Sequence, residues 1–467
     1  MEDAEILGSS FNEKILEKFK TEGDLSISKL RLKWWEKLSE DTRKLLEEDN
    51  KYYLYQSLST PCLNVLSECK DVYIMDVSGK RYLDFHGNCV HNVGFSNPKV
   101  IQAIKDQLDK LTFCPRRYTN EIAIKLAKKL TELTSGNLSR CLLSPGGAEA
   151  VEMALKLAMG YTKRYKILSW WDSFHGATFA TISIGGEAIF RGEISLLPGT
   201  IHVHPPDCYR CPYGHESQEK CSFTCIEIVK SVIEKEGGDL CAMIAEPIRG
   251  AHAIVPPLNY WREIKKICTE YGILLIFDEI LIGLGRTGKM FAYEHFNIVP
   301  DILVLGKSLG GGILPIAGIV ARDDLNVMGH RALGHFTHEK NPVLCAAALA
   351  TIRVLQEENL VENAAKIGEY ALKRMNEMKE FHQLIGDVRG KGLLLAIELV
   401  KDKKRKIRAS EEGELVMYKC LEKGLNLKLT MGNILALTPA LTITKEQMDK
   451  ALDIIDEALS EVEKNYY

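Results

Sequence analysis

Ile302-Leu303-Val304-Leu305-Gly306-Lys307-Ser308-Leu309-Gly310-Gly311-Gly312 is the stretch that decides the fold. Its four branched apolar residues read as a short, fully buried strand, and the glycines behind them as a tight turn. The strand delivers Lys307 into that turn, either as an ordinary surface lysine or as an amine presented to a cavity. Two neighbouring segments favour the cavity. Ile273-Leu274-Leu275-Ile276-Phe277 is a second buried strand, ending in Asp278 and Glu279. Ser144-Pro145-Gly146-Gly147-Ala148-Glu149-Ala150 opens an apolar helix running from Glu149 to Met159.

Outward from this centre, strands are expected at Lys166 to Ser169, Thr200 to Val203, Ala242 to Ala245 and Ile316 to Val320, with helical stretches between them. Such alternation predicts an α/β fold with a mostly parallel sheet covered by helices over residues 98–345. A hairpin is expected from Val72 to Phe85. Long amphipathic helices around Leu393 to Leu399 read as a smaller α+β domain, made of residues 61–97 and 346–467. Residues 1–60 read as a helical N-terminal arm.

Composition narrows the partners. The 467 residues are 46% hydrophobic, enough for extensive cores, and 60 basic against 63 acidic residues give a net charge of −3. No field attracts nucleic acid and no polybasic face suits anionic lipid. No apolar run reaches a bilayer span, and the acidic start Met1-Glu2-Asp3-Ala4-Glu5 is unlike a secretory signal, so a cytoplasmic protein with a small-molecule ligand is expected. Thirteen scattered cysteines suit a reducing compartment. Cys208, Cys211, Cys221 and Cys225 lie close enough in sequence to hold a structural zinc, with His215 as a substitute ligand, although the spacing is not that of a standard zinc ribbon.

A lysine for a Schiff base, a carboxylate for a pyridinium nitrogen and a helix N-terminus for a phosphate are the fixtures that pyridoxal 5′-phosphate needs. Lys307, Asp278 and the Gly146-Gly147-Ala148 turn fill these roles, and Phe174 and Ile280 offer two walls for the ring. Each residue alone also has a structural reading: a strand-end turn, a helix cap or core packing.

Together these segments resemble the class III aminotransferases, pyridoxal phosphate enzymes of fold type I, over nearly the whole chain after residue 60. The matching segments include Asp84-Phe85-His86-Gly87, Phe174-His175-Gly176, Ala245-Glu246-Pro247, Phe277-Asp278-Glu279, Gly285-Arg286-Thr287-Gly288, Thr337 ahead of Asn341-Pro342, and Val388-Arg389-Gly390-Lys391-Gly392. The resemblance implies that Lys307 and Asp278 are catalytic. It further implies a cofactor site of Gly147, Ala148, Phe174, His175, Glu246, Asp278, Ile280 and Lys307, and a homodimer in which Thr337 reaches the partner's phosphate.

Two departures bear on the substrate. Family members acting on amino acids carry an arginine where this chain has Ala436, and often a gating glutamate where it has Ala251. Both halves of a carboxylate clamp are missing, whereas Arg116, Arg117 and Arg249 supply cations suited to a phosphate-like dianion. Phe113-Cys114-Pro115-Arg116-Arg117-Tyr118-Thr119-Asn120 and Gly334-His335-Phe336-Thr337-His338-Glu339-Lys340-Asn341-Pro342 resemble one branch, the (R)-1-hydroxy-2-aminoethylphosphonate ammonia-lyases. That implies a lyase converting 1-hydroxy-2-aminoethylphosphonate to phosphonoacetaldehyde and ammonia, with Lys307 as general base and hydroxide leaving the adjacent carbon. The alternative is amino transfer from an ω-amine or amino acid to a keto acid or aldehyde.

Overall fold

The structure, a computed structural model, describes residues 28–56, 59–216 and 221–466. Part of the expected N-terminal arm, residues 1–27, lies outside the described residues. Its described part forms two helices, Lys29–Lys37 and Glu40–Tyr52, whose N-cap serines Ser28 and Ser39 accept backbone N–H bonds. Arg31 Nε donates to the Tyr418 hydroxyl at 3.0 Å, and Trp34 packs on the Tyr418 ring. The arm is thereby pinned to the helix Ser410–Glu422.

Three hairpin strands come first: β1 (Leu66–Lys70), β2 (Tyr73–Asp76) and β3 (Arg81–Asp84). The central seven strands follow: β4 (Leu138–Ser144), β5 (Lys166–Trp170), β6 (Thr200–Val203), β7 (Leu240–Ala245), β8 (Leu274–Asp278), β9 (Ile302–Leu305) and β10 (Ala317–Arg322). They form one sheet in the order β4-β10-β9-β8-β7-β5-β6. Neighbours from β9 to β6 are parallel, while β10 runs antiparallel to both β9 and β4. The sheet is therefore mostly parallel, as expected. The sequence reading omitted β4, whose run Leu-Ser-Arg-Cys-Leu-Leu-Ser mixes polar and apolar residues without a clean period. It is held in the sheet by six paired positions on β10.

Helices cover the sheet and complete its core. β8 is buried along its whole length, and the Phe277 ring meets Trp261 edge-on at a centroid distance of 4.7 Å. Burying such a ring stabilises the fold by roughly 1.5–3 kcal/mol. The closing strands are β11 (Ile385–Lys391), β12 (Leu394–Asp402), β13 (Ile407–Arg408), β14 (Leu425–Asn426), β15 (Lys428–Thr430) and β16 (Ile434–Leu437). β11, β12, β16 and β15 build a second, antiparallel sheet, and β14 pairs in parallel with β3. The early hairpin is thus joined to the late part of the chain through β3 and β14. Among the described residues, no helix is long and apolar enough to cross a membrane.

Candidate active site

In a parallel sheet the carboxyl ends of neighbouring strands converge on one edge, where ligands of α/β proteins bind. Here that edge carries every cofactor residue the sequence pointed to except Thr337. β8 ends in Asp278, with Ile280 two residues on, and β9 ends two residues before Lys307. β7 leads into Glu246, β5 into the loop of Phe174 and His175, and β4 into the helix Gly147–Thr162. All eight residues, Lys307, Asp278, Gly147, Ala148, Phe174, His175, Glu246 and Ile280, line one cavity of about 450 Å³.

Local conformation aims each group. Lys307 has φ of 42°, in the left-handed region that a side chain rarely adopts. Such a residue costs of order 1–3 kcal/mol and persists only where its surroundings hold it. Gly311 and Gly312, also at positive φ, take the tightest bends of the same turn. Asp278 is 4% exposed; its Oδ2 lies 2.7 Å from His175 Nδ1, and its Oδ1 accepts the Ile280 N–H at 3.0 Å. His175 Nε2 is buried without a hydrogen-bond partner, an orphaned group on the cavity wall.

The residues fit pyridoxal phosphate. The helix Gly147–Thr162 begins at Gly146 with no side-chain cap, so its first N–H groups remain for a ligand anion. A Cβ on Gly147 would stand 2.9 Å from Ile280 Cδ1, so a side chain there would push the Ile280 methyl aside. The aromatic face of Phe174, the aliphatic face of Ile280, the buried carboxylate and the lysine converge on one space of suitable volume.

The sequence-predicted cations fare differently. Arg249 reaches the cavity wall but is 1% exposed and committed: Nη1 binds Glu246 Oε1 at 2.5 Å and Nη2 binds Glu187 Oε1 at 2.9 Å. Glu246 Oε2 also accepts the Gly250 N–H at 2.8 Å. Arg116 and Arg117 are not brought to the cavity of this chain; both are exposed, and Arg116 Nη1 donates to the His335 carbonyl at 3.4 Å. Thr337 is exposed on the same surface, where Phe113 meets the His338 ring at 5.4 Å. Ala251 and Ala436 do line the cavity.

Among the further residues that stand there without having been singled out in the sequence are His86, Glu187 and Lys428. Burial, then the charges of Lys428 and Lys307, push the His86 imidazole down to about 3, so it is neutral at pH 7. Only His86 carried a signal, within the Asp84-Phe85-His86-Gly87 segment.

Of the four clustered cysteines, all are free and line a small void of about 20 Å³ together with His215. Among the described residues, no group of three or more potential ligands is placed to hold a metal. Burial raises the Cys208 thiol to about 11 and Cys225 to about 12, and His215 Nε2 is engaged with Thr224 Oγ1 at 2.7 Å. The loop also braces the fold: Arg210, between two of the thiols, pairs with Glu398 of β12 and donates to the Lys406 carbonyl at 2.8 Å.

Comparison with known proteins agrees with this geometry. The aminotransferase class III family profile matches residues 54–459. The chain is 42% identical to the (R)-1-hydroxy-2-aminoethylphosphonate ammonia-lyase of Vibrio splendidus, covering 96% of each protein. It is 39% identical to the leucine/methionine racemase of Thermococcus litoralis, covering 90% of this chain and 96% of that one. Among solved structures, an (S)-enantioselective omega-transaminase from Thermomicrobium roseum superposes with a TM-score of 0.84 at 32% identity, covering 90% of this chain and 98% of that one. The chain accordingly belongs to the class III aminotransferase family, as a pyridoxal 5′-phosphate-dependent enzyme of fold type I.

Proposed function

We propose that the protein is an ammonia-lyase that converts 1-hydroxy-2-aminoethylphosphonate to phosphonoacetaldehyde and ammonia. The observation that carries this reading is the cavity wall itself. Ala251 and Ala436 line it where the family's amino-acid enzymes carry their arginine and its gating glutamate, so the site lacks that two-pronged carboxylate clamp. A relative of 42% identity bearing the ammonia-lyase name supports the same reading.

Bound pyridoxal phosphate supplies an electron sink for the carbon next to the substrate nitrogen. The chain supplies the rest. The first N–H groups of the helix at Gly147 and Ala148 would hold the phosphate, and Phe174 and Ile280 would enclose the ring. Asp278 would pair with the ring nitrogen, its side chain oriented by His175. Lys307 Nζ is the amine that would hold the cofactor. Its Nζ, when not bonded to the cofactor, would take the proton from the aminomethyl carbon as general base. Hydroxide departs from the neighbouring carbon with a proton, as water. The released enamine takes up water, giving the aldehyde and ammonia, so atoms balance and no amino acceptor is consumed.

Amino transfer is the second reading, favoured by the omega-transaminase likeness, because the same lysine and carboxylate serve it. Ammonia release is measured without any keto acid, beside parallel reactions with pyruvate and 2-oxoglutarate. The lyase reading expects ammonia in the first reaction, lost in Lys307→Ala. Turnover only with a keto acid replaces it by the transaminase.

We further propose a homodimer, with the Thr337 surface placed against the partner's cavity. The loops holding Arg116, Phe113, His335 and His338 pack together as one exposed patch. If Thr337 reaches the partner's cofactor phosphate, the two arginines arrive beside it.

A further inference from the structure

β15 and β16 run antiparallel at the cavity's edge, and Lys428 stands directly opposite Ala436. Opposed residues of such a pair share one face of the sheet, with Cβ atoms about 5 Å apart. Both line the 450 Å³ cavity, together with Thr438. A cation is therefore present one strand away from the position where the amino-acid enzymes of the family place their arginine. The other cations of the chain lie at other places. Lys307 belongs to the cofactor's reacting end, and Arg249 is held between Glu246 and Glu187. Arg116 and Arg117 lie on the exposed outer patch of this chain.

We infer that Lys428 is the residue of this chain that binds the substrate's anionic group, its ammonium receiving a tetrahedral phosphonate dianion while the substrate nitrogen sits at Lys307. Naming the anion as phosphonate rests on the function proposed above; the cation's place opposite Ala436 does not. A planar guanidinium at position 436 would match a carboxylate in a two-pronged fork, whereas a lysine meets phosphate-type oxygens as a point charge without a preferred plane. Moving the cation across one strand pair, and changing its type, alters which anion the cavity accepts. His86, neutral and on the same wall, can add a hydrogen bond without competing for the charge.

The test uses the full chain loaded with pyridoxal phosphate, as wild type, Lys428→Gln and Lys428→Arg. Steady-state rates compare 1-hydroxy-2-aminoethylphosphonate with 1-amino-2-propanol, in which an uncharged methyl replaces the phosphonate. Binding of unreactive methylphosphonate is followed by calorimetry. Lys428→Gln should lower the phosphonate-to-uncharged ratio of kcat/KM, and weaken methylphosphonate binding, each by about 10- to 100-fold. Lys428→Arg, which keeps the charge, should recover most of the ratio. An unchanged ratio, or equal losses on both amines, overturns the assignment, and equal losses mark a purely structural lysine. Failure of the underlying function is separable. Wild type that releases no ammonia from the phosphonate, yet binds methylphosphonate through Lys428, keeps the anion site and loses the lyase. A wild-type lyase whose KM ignores Lys428→Gln keeps the lyase and loses the site.

Discussion

Asp278 has both carboxylate oxygens engaged, one by the backbone of Ile280 and one by His175, in a place 4% exposed to solvent. An asparagine can keep one of these contacts and the packing, but it carries no charge with which to hold a pyridine nitrogen protonated. Asp278→Asn should therefore fold and bind the cofactor, with the visible absorbance of the lysine-bound form, and lose about 100-fold or more in kcat. A rate close to wild type at full occupancy would make Asp278 a strand-end group only. Lys307 and Asp278 were legible because each ends an apolar run, and an apolar run needs only sequence neighbours to be read. Lys428 was not, since Leu427-Lys428-Leu429 has the alternation of any half-buried strand. Only the register against Ala436 turns it toward the cavity.

The segment after β7 shows how an element can borrow charge for structure. Sequence reading took Arg249 for a substrate cation; in the fold it joins Glu246 to Glu187, and its own backbone N–H reaches the Ile254 carbonyl at 2.9 Å. Removing one partner of such a buried group leaves uncompensated charge and costs about 3–5 kcal/mol. Arg249→Met should lower the melting temperature markedly. Adding Glu187→Gln to it should restore part of the loss, because one stranded carboxylate disappears. A variant as stable as wild type but with a phosphonate KM raised many-fold would return Arg249 to the substrate. Other segments of the resemblance also proved to be joints. Arg286 donates to Leu393 and Pro439 carbonyls and to Asn92 Oδ1, and a Cβ on Gly392 would stand 2.3 Å from the Thr287 carbonyl carbon. The strand runs gave element positions, but not that β10 is antiparallel. Direction depends on which connection crosses the sheet, and no local pattern encodes that.

At the scale of the whole molecule, burial fixes the charge state of several groups and so the response to acid. It pushes His86 and His91 down to about 3 and His295 to about 4, and holds His252 well below its ordinary range. Unfolded histidines protonate near 6.5, so below that pH the unfolded chain binds more protons and stability falls as pH drops. Two carboxyls oppose this: burial raises Asp84 to about 6 and Glu279 to about 8, so the folded chain keeps their protons where the unfolded chain has lost them. Burial lowers His202 as well, so the histidines held down outnumber the two carboxyls held up, and stability falls as the pH drops from 6 to 4.5. Melting temperatures measured across that window should fall steadily. A flat or rising profile would mean that these histidines are already charged in the fold.

The assembly prediction belongs to the same scale, since the Thr337 hydroxyl is exposed on this chain and is not among the residues lining its own cavity. Serving a neighbour's phosphate, it should contribute as a hydrogen bond to a charged group does, and Thr337→Ala should weaken cofactor binding by about 1.5–3 kcal/mol. Sedimentation should give a dimer. Mixing subunits locates the hydroxyl. In a heterodimer of one Lys307→Ala and one Thr337→Ala chain, action across the interface puts both defects in one site and leaves the other intact. Half of the sites should then bind cofactor with wild-type affinity and turn over. Action within a chain would leave each site with one defect, and every working site would show the weakened affinity. That result, or a fully active monomer, would remove Thr337 from the partner's phosphate and the exposed arginines with it.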